Sequence, residues 1–483
     1  MAYVSQEVPP AIAEVQQRAV RALLEWVPDL LEIGELFQRA GHDLAAVGGC
    51  VRDAVLHEFN GTDIDLTTDA TPEQTIAIVR EWADAVWDVG IRFGTVGLRK
   101  GEQTWEITTY RSDSYTEDSR KPEIAFGTSL AADLIRRDFT INAMAVRLPS
   151  GEFVDDNGGL IDLAAKRLRT PGTPEQSFSD DPLRMMRAAR FVSQLEVAVA
   201  PEALAAMTTM ADRLGIVSAE RVRDELTKLL IGQNPRLGIE ALVQTGLAEQ
   251  VLPEIPLLKL EMDEHHHHKD VYEHSLTVLD QAIALEDSGP DLVLRLAALL
   301  HDIGKPRTRK FEAGGGVSFH HHEVVGARMT TKRLRKLRFR NDQVDDVARL
   351  VELHLRFHGY GTGEWSDSAV RRYVRDAGPL LPRLHKLTRA DCTTRNRRRA
   401  QALQRAYDGL ESRIARLAVE EELAAIRPEL DGNQIMTLLD IPPGRDVGRA
   451  YQFLLDLRLD QGPIGSAAAE VALLEWWREQ QSD

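Results

Sequence analysis

The sequence predicts an α+β head near the start of the chain and an all-helical remainder. Strand signals concentrate between residues 43 and about 155, where short runs of Val, Ile, Thr and aromatic residues alternate with turn residues. Beyond Leu160 these signals nearly vanish, and apolar residues recur at helical spacing to the C-terminus. A helical segment also precedes the head, because Val20, Leu24 and Leu31 recur near helical spacing.

These changes of pattern divide the chain into five predicted segments. Helical periodicity is interrupted at Pro253–Pro256, at Gly314–Gly316 and at Pro442–Gly444. We predict an N-terminal helical segment over 1–42, the head with a mixed sheet and helices over 43–165, an all-helical neck and body over 166–262, a histidine-rich helical module over 263–400 and a helical tail over 401–483.

The composition excludes several classes of protein. Two cysteines, Cys50 and Cys392, give no disulfide framework and fit a reducing compartment, so we predict a cytoplasmic protein. No apolar run approaches the roughly 18 residues that span a bilayer, which predicts no membrane partner. The first ten residues lack the basic and apolar blocks of a signal peptide.

Charge is distributed unevenly along the chain. The formal net charge is −16, yet seven of the thirteen residues from Arg328 to Arg340 are basic and none is acidic. A second basic cluster consists of Arg395, Arg397, Arg398 and Arg399. Such clusters are either solvated helix faces or local surfaces that bind RNA, so the negative sum does not exclude a nucleic-acid partner.

The head begins with a strand, a glycine turn and a helix. Leu44–Val47 is short and apolar and runs into Gly48 and Gly49. Paired glycines let backbone amides approach a phosphate at a helix N-terminus, although a plain strand-to-helix turn has the same pattern. Further predicted strands are Asp63–Thr67, Gly94–Arg99, Thr104–Tyr110 and the hairpin of Met144–Leu148 with Glu152–Val154, and a capped helix begins at Thr71.

Two carboxylates are the strongest chemical signal in the head. Asp63 and Asp65 lie on a predicted strand, where residues two apart face the same way. Like charges held together need a cation, and Mg²⁺ ions there would bridge a triphosphate and activate an RNA 3′-hydroxyl. A solvated pair on a surface strand is the alternative, but the glycine turn ten residues earlier favours catalysis.

These motifs, in this order, resemble the class II tRNA CCA-adding nucleotidyltransferases and bacterial poly(A) polymerases, within the polymerase-beta-type superfamily. The match covers about residues 40 to 260 and rests on Gly48–Asp53 with Asp63 and Asp65, Thr109–Arg111, Arg136–Ala143, Asp180–Arg184 and Glu220–Leu226. The family usually has Glu-Asp where this chain has Asp180-Asp181, which keeps the charge. The resemblance implies a nucleotidyltransferase head that acts on tRNA with CTP and ATP. It also implies nucleotide-binding roles for Gly48, Gly49, Arg52, Asp53, Arg111, Arg136, Asp138, Asn142, Asp181, Arg184, Arg187 and Arg190.

Asp181 and Arg184 are candidates for choosing the base. Their spacing places both on one face of a predicted helix, where a surface ion pair is the simpler interpretation. Cytosine and adenine each present an amine beside an unprotonated ring nitrogen, so one carboxylate and one guanidinium can accept both and reject uracil and guanine. The resemblance implies that Asp181 and Arg184 select the base in this way. It also implies that the polar segment Asp113–Phe126, with Asp118, Arg120 and Lys121, is the family's flexible loop.

The histidine-rich module resembles the HD superfamily. The resemblance rests on Tyr272–His274, Leu300–Lys305, His322–Ala327 and Ala390–Asp391. It implies a metal site formed by His274, His301, Asp302 and Asp391, with His322 and His354 as candidates for a second site and Lys305 as a phosphate contact. The metal is either a divalent transition metal or Mg²⁺. The run of four histidines over 265–268 reads as an exposed loop without a role.

Several functions fit these patterns. The leading prediction is addition of C, C and A to tRNA 3′ ends, with release of pyrophosphate and a possible phosphohydrolase activity in the HD module. Poly(A) polymerase, or an enzyme adding only CC or only A, shares the motifs. An HD phosphohydrolase with an RNA-binding head, or an inactive RNA-binding scaffold, would have no need of Asp63 and Asp65. The sequence leaves the oligomeric state open.

Overall fold

The computed structural model describes residues 10–58, 63–90, 94–114, 123–127, 129–260, 270–312, 317–359, 365–394, 396–421 and 427–482. The chain forms two compact units, residues 1–250 and residues 251–483. This division does not test the boundaries of the five predicted segments, which stay predictions.

The first unit combines helices with the sheet of the head. Its helices are α1 (Pro10–Trp26), α2 (Asp29–Arg39), α3 (Gly49–Leu56), α4 (Pro72–Val79), α5 (Leu130–Ile135), α6 (Gly159–Ala164), α7 (Pro174–Asp180), α8 (Leu183–Leu195), α9 (Pro201–Met210), α10 (Ala219–Leu230), α11 (Pro235–Gln244) and α12 (Leu247–Val251). Its strands are β1 (Leu44–Val47), β2 (Asp63–Thr68), β3 (Ala85–Gly90), β4 (Thr95–Lys100), β5 (Gln103–Thr109), β6 (Arg111–Ser114), β7 (Glu123–Phe126), β8 (Ala145–Leu148), β9 (Phe153–Val154), β10 (Arg167–Leu168) and β11 (Ala198–Val199).

Seven strands form one mixed sheet in the order β3-β4-β5-β2-β1-β8-β9. The pair β2 and β5 is parallel, and the other neighbours are antiparallel. The α+β fold class and the six predicted strands of this sheet are confirmed. The edge strand β3 was not predicted, because Asp88 and Gly90 interrupt its apolar pattern.

The two N-terminal helices pack onto the sheet. Leu23, Leu30 and Phe37 are fully buried, and each contributes about 1.5–3 kcal/mol by leaving water. A Cβ atom built on Gly34 would lie 2.8 Å from the Leu148 side chain, so glycine lets α2 approach β8 closely. The predicted helical start of the chain is therefore part of the head's core.

Local capping explains where α4 begins. The Thr71 hydroxyl accepts a hydrogen bond from the Gln74 amide, and the Gln74 side chain accepts one from the Thr71 amide. Pro72 occupies the first helical position, where a missing N–H costs nothing. This capping box is confirmed as the sequence predicted it.

The segment Asp113–Phe126 contains an element that the loop prediction missed. Its ends belong to β6 and β7, which pair antiparallel with Arg111 opposite Phe126. Residues 115–122 between them, including Asp118, Arg120 and Lys121, lie outside the described residues.

The second unit is almost entirely helical, as predicted. Its elements are α13 (Val271–Ile283), α14 (Leu292–Leu300), α15 (Lys305–Thr308), β12 (Lys310–Phe311), β13 (Val317–Ser318), α16 (His322–Lys336), α17 (Asn341–Leu353), α18 (Asp367–Ala377), α19 (Leu381–Asp391), α20 (Arg397–Glu421), α21 (Gly432–Leu439), α22 (Arg445–Gln461) and α23 (Ser466–Ser482). The predicted break at Pro442–Gly444 separates α21 from α22. Gly314–Gly316 and His265–His268 lie outside the described residues. Within the described part of the chain, no helix has the length and hydropathy that crossing a membrane requires.

Candidate active site and metal centre

Gly48 lies at the turn between β1 and α3. Its φ is +75°, a conformation that favours glycine. A Cβ atom at this position would lie 3.3 Å from Asp65 Oδ2 and 3.5 Å from Arg137 Nη1. The predicted strand, turn and helix are therefore present, and the turn lets a carboxylate and a guanidinium approach the backbone.

Asp63 and Asp65 lie on one face of β2. Both are exposed, while Ile64 between them is buried, which is the alternation expected of a strand with one face in the core. The parallel partner strand places Glu106 beside Asp65. Three carboxylates therefore share one face of two adjacent strands. Glu106 was not among the predicted site residues, because only the strand pairing brings it to the other two.

The three carboxylates on this face of the sheet repel one another and are stabilised by a nearby positive charge. Although part of Asp65 is open to solvent, the atoms packed around its carboxylate desolvate it and raise its pKa; Arg137 opposes this rise, and Asp63 adds to it. Burial also raises the pKa of Glu106, and Asp65 and Asp63 raise it further. Anionic oxygens that are partly desolvated and mutually repelling are the ligands that hard divalent cations prefer, so the residues present fit the predicted Mg²⁺.

Arg137 is held in place by a buried carboxylate. Its Nη2 donates to Asp133 Oδ2 at 3.1 Å, and the Thr67 hydroxyl donates to the same oxygen at 3.3 Å. A cavity of about 240 Å³ opens here and is lined by Thr108, Asp133, Arg136, Arg137 and Arg184. Two predicted nucleotide-binding arginines, Arg136 and Arg184, thus line one cavity, together with Arg137.

Four other predicted residues form a single hydrogen-bonded chain. Arg52 donates to Asn142 Oδ1 at 2.8 Å, and the Asn142 amide donates to Asp138 at 3.1 Å. Arg187 donates to the other Asp138 oxygen at 2.7 Å. Burial opposes ionisation of Asp138, but Arg187 and these hydrogen bonds outweigh it and lower its pKa to about 2. Asp53 joins the chain by accepting from Arg52 at 2.9 Å.

Asp181 and Arg184 do not pair with each other. Asp181 has an extended backbone (φ −144°) between α7 and α8, so the prediction that both residues lie on one helix is wrong. Pro182 causes this difference, because a residue before proline is disfavoured in the helical region. Asp181 instead accepts from the Leu183 amide at 3.1 Å and pairs with Arg221 at 2.7 Å.

Arg184 is held by residues other than Asp181. It donates to the Ser177 hydroxyl at 2.9 Å and to the Arg136 carbonyl at 2.5 Å. Arg190 is buried and pairs with Glu225 at 3.3 Å. The predicted residue Arg111 has its backbone in β6, and its side chain lies outside the described part of the structure.

The second unit gathers the predicted HD residues into two adjacent groups. The first contains His274, His301 and Asp391, and the second contains Asp302, His322 and His354. Within each group the candidate ligand atoms lie within 4.8 Å of one another. Elements far apart in sequence supply them: α13, the end of α14, the start of α16, the end of α17 and the end of α19.

Asp302 links the two groups. Its Oδ2 lies 3.2 Å from His301 Nε2, and its Oδ1 lies 3.2 Å from His322 Nε2. Asp391 Oδ1 lies 3.0 Å from His274 Nε2. One carboxylate therefore presents an oxygen to each group, and the two groups can act as neighbouring metal sites.

Each of the four histidines is oriented through its outer nitrogen. The Nδ1 atoms of His301, His322 and His354 donate to backbone carbonyls at 2.8, 2.8 and 2.6 Å. His274 Nδ1 lies 3.1 Å from the Thr393 hydroxyl. A carbonyl only accepts, so a neutral ring held this way turns an Nε2 lone pair inward, which is the usual arrangement of metal-binding histidines. Thr393 was not predicted, because its role depends on a turn after Asp391.

The donor set fits divalent metals. His322 Nε2 and Asp302 Oδ2 are buried, and their short contacts are to other members of the centre: His322 Nε2 to Asp302 Oδ1, and Asp302 Oδ2 to His301 Nε2 and Lys305 Nζ. Buried nitrogen and carboxylate oxygen atoms that face one another in this way are suited to sharing a cation. Burial lowers the pKa of His354 to about 3, which keeps its imidazole neutral. Lys305 Nζ lies 2.9 Å from Asp302 Oδ2, so Lys305, which the resemblance implies contacts a phosphate, lies beside the two candidate metal-binding groups.

Gly304 lets α15 pack against α16 beside this centre. A Cβ atom there would lie 2.1 Å from the His322 carbonyl oxygen and 2.8 Å from the Gly326 amide nitrogen. Any larger residue would push His322 away from Asp302, which explains glycine directly before Lys305.

Three family models match the chain. "Poly A polymerase head domain" matches residues 44–169, "Probable RNA and SrmB- binding site of polymerase A" matches 197–258, and "HD domain" matches 271–396. The first contains both carboxylates of β2, and the third contains all the residues of the two metal-binding groups.

Curated relatives resemble both halves of the chain. The A-adding tRNA nucleotidyltransferase of Deinococcus radiodurans is 36% identical over 358 residues, which cover 73% of this chain and 80% of the relative. The CCA-adding enzyme of Levilactobacillus brevis is 41% identical over 230 residues, covering 46% and 56%. The alignments with the relatives named CCA-adding enzyme thus span about half the length of those proteins.

Solved structures share the fold. The CCA-adding enzyme of Bacillus stearothermophilus, solved with CTP, gives a TM-score of 0.68 at 24% identity, covering 94% of this chain and 98% of that one. The Thermotoga maritima CCA-adding enzyme, solved with tRNA, gives 0.58 at 16% identity, covering 96% and 98%. The chain therefore belongs to the family of tRNA nucleotidyltransferases and bacterial poly(A) polymerases, and it carries an HD domain in its second half.

Proposed function

We propose that the head adds nucleotides to the 3′ end of tRNA without a nucleic-acid template and completes a terminal CCA from CTP and ATP. The observation that carries this proposal is the face of β2 and β5, where Asp63, Asp65 and Glu106 lie together beside Arg137. Relatives solved with CTP, with ATP and with tRNA support these substrates. A tRNA substrate and reduced cysteines agree with the predicted cytoplasmic location.

The roles of the residues follow from their positions. Asp63 and Asp65 would hold Mg²⁺, which when bound neutralises phosphate charge and favours ionisation of the attacking hydroxyl. Arg136, Arg137 and Arg184 line the adjacent cavity and supply positive charge for a triphosphate. The backbone amides after Gly48 lie at the N-terminus of α3, which favours a negative group.

Selection of C and A would fall to Asp181 and Arg184. Each side chain is fixed by its own neighbours, Asp181 by Arg221 and Arg184 by Ser177. A carboxylate has about four lone-pair positions, so Asp181 can still accept from a base amine while it contacts Arg221. A guanidinium has five N–H donors, which leaves Arg184 able to donate to a ring nitrogen.

A narrower activity is the main alternative. The Deinococcus radiodurans relative, which the alignment covers over 80% of its length, is named as A-adding. The sites for C and for A share one pocket in our proposal, so the residues described here do not separate complete CCA addition from addition of the final A, or from poly(A) synthesis.

The products distinguish these activities. Transcripts of one tRNA ending without A, without CA and without CCA would be incubated with each labelled nucleotide alone. Complete CCA synthesis predicts CTP incorporation on the two shorter transcripts and ATP incorporation on the one lacking only A. An A-adding enzyme would use only that last transcript, and a poly(A) polymerase would extend all three with ATP.

We also propose a second activity, metal-dependent hydrolysis of phosphate esters by the HD domain. It is supported by the two groups that Asp302 joins and by the buried Nε2 of His322, which faces Asp302 Oδ1 at 3.2 Å. Divalent ions held there would supply an activated water and polarise a phosphoryl group, and Lys305 would contact the phosphate. One water would open a terminal 2′,3′-cyclic phosphate to a 2′- or 3′-phosphate, and a second would release that phosphate as inorganic phosphate, which restores the hydroxyl that the head requires.

Metal analysis and hydrolysis assays test this activity. The protein purified without a tag would be analysed for bound metal and assayed with cytidine 2′,3′-cyclic phosphate in Mg²⁺, Mn²⁺, Ni²⁺ and Co²⁺. Hydrolysis with at least one metal is expected. Absence of metal and of hydrolysis under all these conditions would leave the domain a structural role.

A further inference from the structure

A short hairpin, β12 and β13, projects directly from the HD centre. Lys310 pairs with Ser318 and Phe311 pairs with Val317. Both ends of the hairpin connect to the centre: Lys305 lies five residues before Lys310, and Phe319 follows Ser318. Lys305 Nζ is 5.7 Å from the Phe319 ring centroid, and the Phe319 carbonyl orients His322. Phe311 lies six residues after Lys305, so the chain holds Phe311 within at most about 20 Å of the centre.

Among the Phe, Tyr and Trp residues that the structure describes, Phe311 has the most exposed side chain. It is 77% exposed, while Trp87 and Tyr451, the next most exposed rings, are 36% and 37% exposed. The guanidinium of Arg309 lies 5.1 Å from its ring centroid. A phenylalanine placed this way contributes almost no burial to the fold, and its ring remains accessible to a flat ligand.

The surroundings of the ring are basic. Between Lys305 and Lys310 the chain has four cations and no carboxylate, and Arg307, Arg309 and Lys310 are exposed. The nearest acidic residue in sequence, Glu312, accepts a hydrogen bond from the Ser318 hydroxyl. An accessible aromatic ring among cations is the combination that single-stranded RNA-binding surfaces use, because every base stacks and every linkage carries negative charge.

We propose that this hairpin holds the last nucleotide of an RNA 3′ end for the HD centre. The terminal base stacks on Phe311, the preceding phosphate contacts Arg307 and Lys310, and the terminal phosphate points towards Lys305. The inference rests on the proposed hydrolytic function and adds the residues that would hold the terminal nucleotide, which makes substrates with a base preferred over phosphate esters without one.

Binding tests the hairpin independently of hydrolysis. Dissociation constants of the full-length protein would be measured for a labelled five-nucleotide RNA with a 3′-phosphate. Loss of one base-aromatic stack weakens binding by roughly tenfold, so Phe311→Ala and Phe311→Leu should bind about tenfold more weakly than the wild type, while Phe311→Tyr should bind normally. Val419→Ala, which removes another highly exposed apolar side chain (86%), is the matched control and should change nothing.

Hydrolysis assays of the same variant show whether a failure concerns the hairpin or the proposed hydrolytic function. Phe311→Ala should lower kcat/KM for cytidine 2′,3′-cyclic phosphate about tenfold and leave hydrolysis of glycerol 2-phosphate, which has no ring to stack, unchanged. Equal binding of the RNA by wild type and Phe311→Ala would overturn the inference, as would equal losses on both substrates. Weaker RNA binding by Phe311→Ala in a protein that hydrolyses nothing would support the nucleotide-binding role and contradict the hydrolase proposal.

Discussion

The carboxylate of Asp181 pairs with Arg221 across 2.7 Å, although Arg184 lies only three residues further along the chain. Arg221 belongs to α10, forty residues away, so the contact links two separate motifs of the family. Each member of the proposed base-selecting pair is therefore held from outside the pair. Pre-orientation of both groups reduces the free energy that a nucleotide must spend to order them.

Replacement of Arg184 should relax nucleotide selection. In Arg184→Ala the ring nitrogen of cytosine or adenine loses its donor, which costs about 1–3 kcal/mol, or roughly ten- to a hundredfold in kcat/KM. The kcat/KM for UTP and GTP should fall much less, so the preference of the enzyme for CTP and ATP over UTP and GTP becomes smaller. Steady-state rates with each nucleotide measure this effect, and Arg223→Ala on α10 is a control. Wild-type discrimination in Arg184→Ala would exclude this residue from base selection.

Replacement of Arg221 should act through Asp181. Arg221→Ala frees the carboxylate to adopt several rotamers, so we expect KM for CTP and for ATP to rise about tenfold while kcat changes little, the order expected when one charge-assisted hydrogen bond is lost. Arg221→Lys should restore part of the affinity. A fall in kcat with unchanged KM would instead place Arg221 in the chemical step.

Neutralising either carboxylate of β2 should abolish nucleotide addition. Asp63→Asn and Asp65→Asn remove a ligand of the proposed Mg²⁺, and the loss of several kcal/mol of charge stabilisation corresponds to at least about 10³-fold in kcat. Glu102→Gln, on the exposed turn after β4, is the matched control. Near-normal turnover of Asp63→Asn at saturating Mg²⁺ would show that the chemistry occurs elsewhere.

Two active centres in one chain should be separable by mutation. We expect His301→Ala to eliminate hydrolysis of cytidine 2′,3′-cyclic phosphate and to preserve nucleotide addition, because all the candidate metal ligands of the HD domain lie in the second compact unit. Asp63→Asn should have the opposite effect. Parallel assays of both variants measure the separation, and loss of both activities in His301→Ala with a normal melting temperature would contradict it.

A buried ion pair should matter for stability. Arg295 and Glu286 pair at 2.6 Å, and both side chains are almost fully buried. Arg295→Ala leaves the Glu286 carboxylate buried without its partner, which costs about 3–5 kcal/mol. The exposed pair of Arg335 and Asp345 is the control, since Arg335→Ala should cost at most about 1 kcal/mol. Thermal unfolding of the two variants compares the losses.

Local patterns predicted the parts of this protein that depend on neighbouring residues. The β1 strand, the glycine turn, the capping box at Thr71 and the shared face of Asp63 and Asp65 all follow from residues a few positions apart. Glu106 and Thr393 were missed because tertiary pairing alone brings them to their partners, and for the same reason Arg221, although part of a quoted motif, was not predicted to pair with Asp181. The spacing of Asp181 and Arg184 predicts one helix, but Pro182 disfavours the helical conformation at Asp181 and the helix begins after it.

The most direct test of the central claim is the sequence of the ends made in an open competition. A tRNA transcript lacking all three terminal nucleotides would be incubated with the wild-type protein, Mg²⁺ and equal concentrations of all four nucleotides, and the products would be sequenced after a long incubation. Our account predicts ends that stop at CCA, without U or G. Tails of repeated A or random incorporation would contradict it. So would a protein that leaves this transcript unchanged but adds A to a transcript ending in CC.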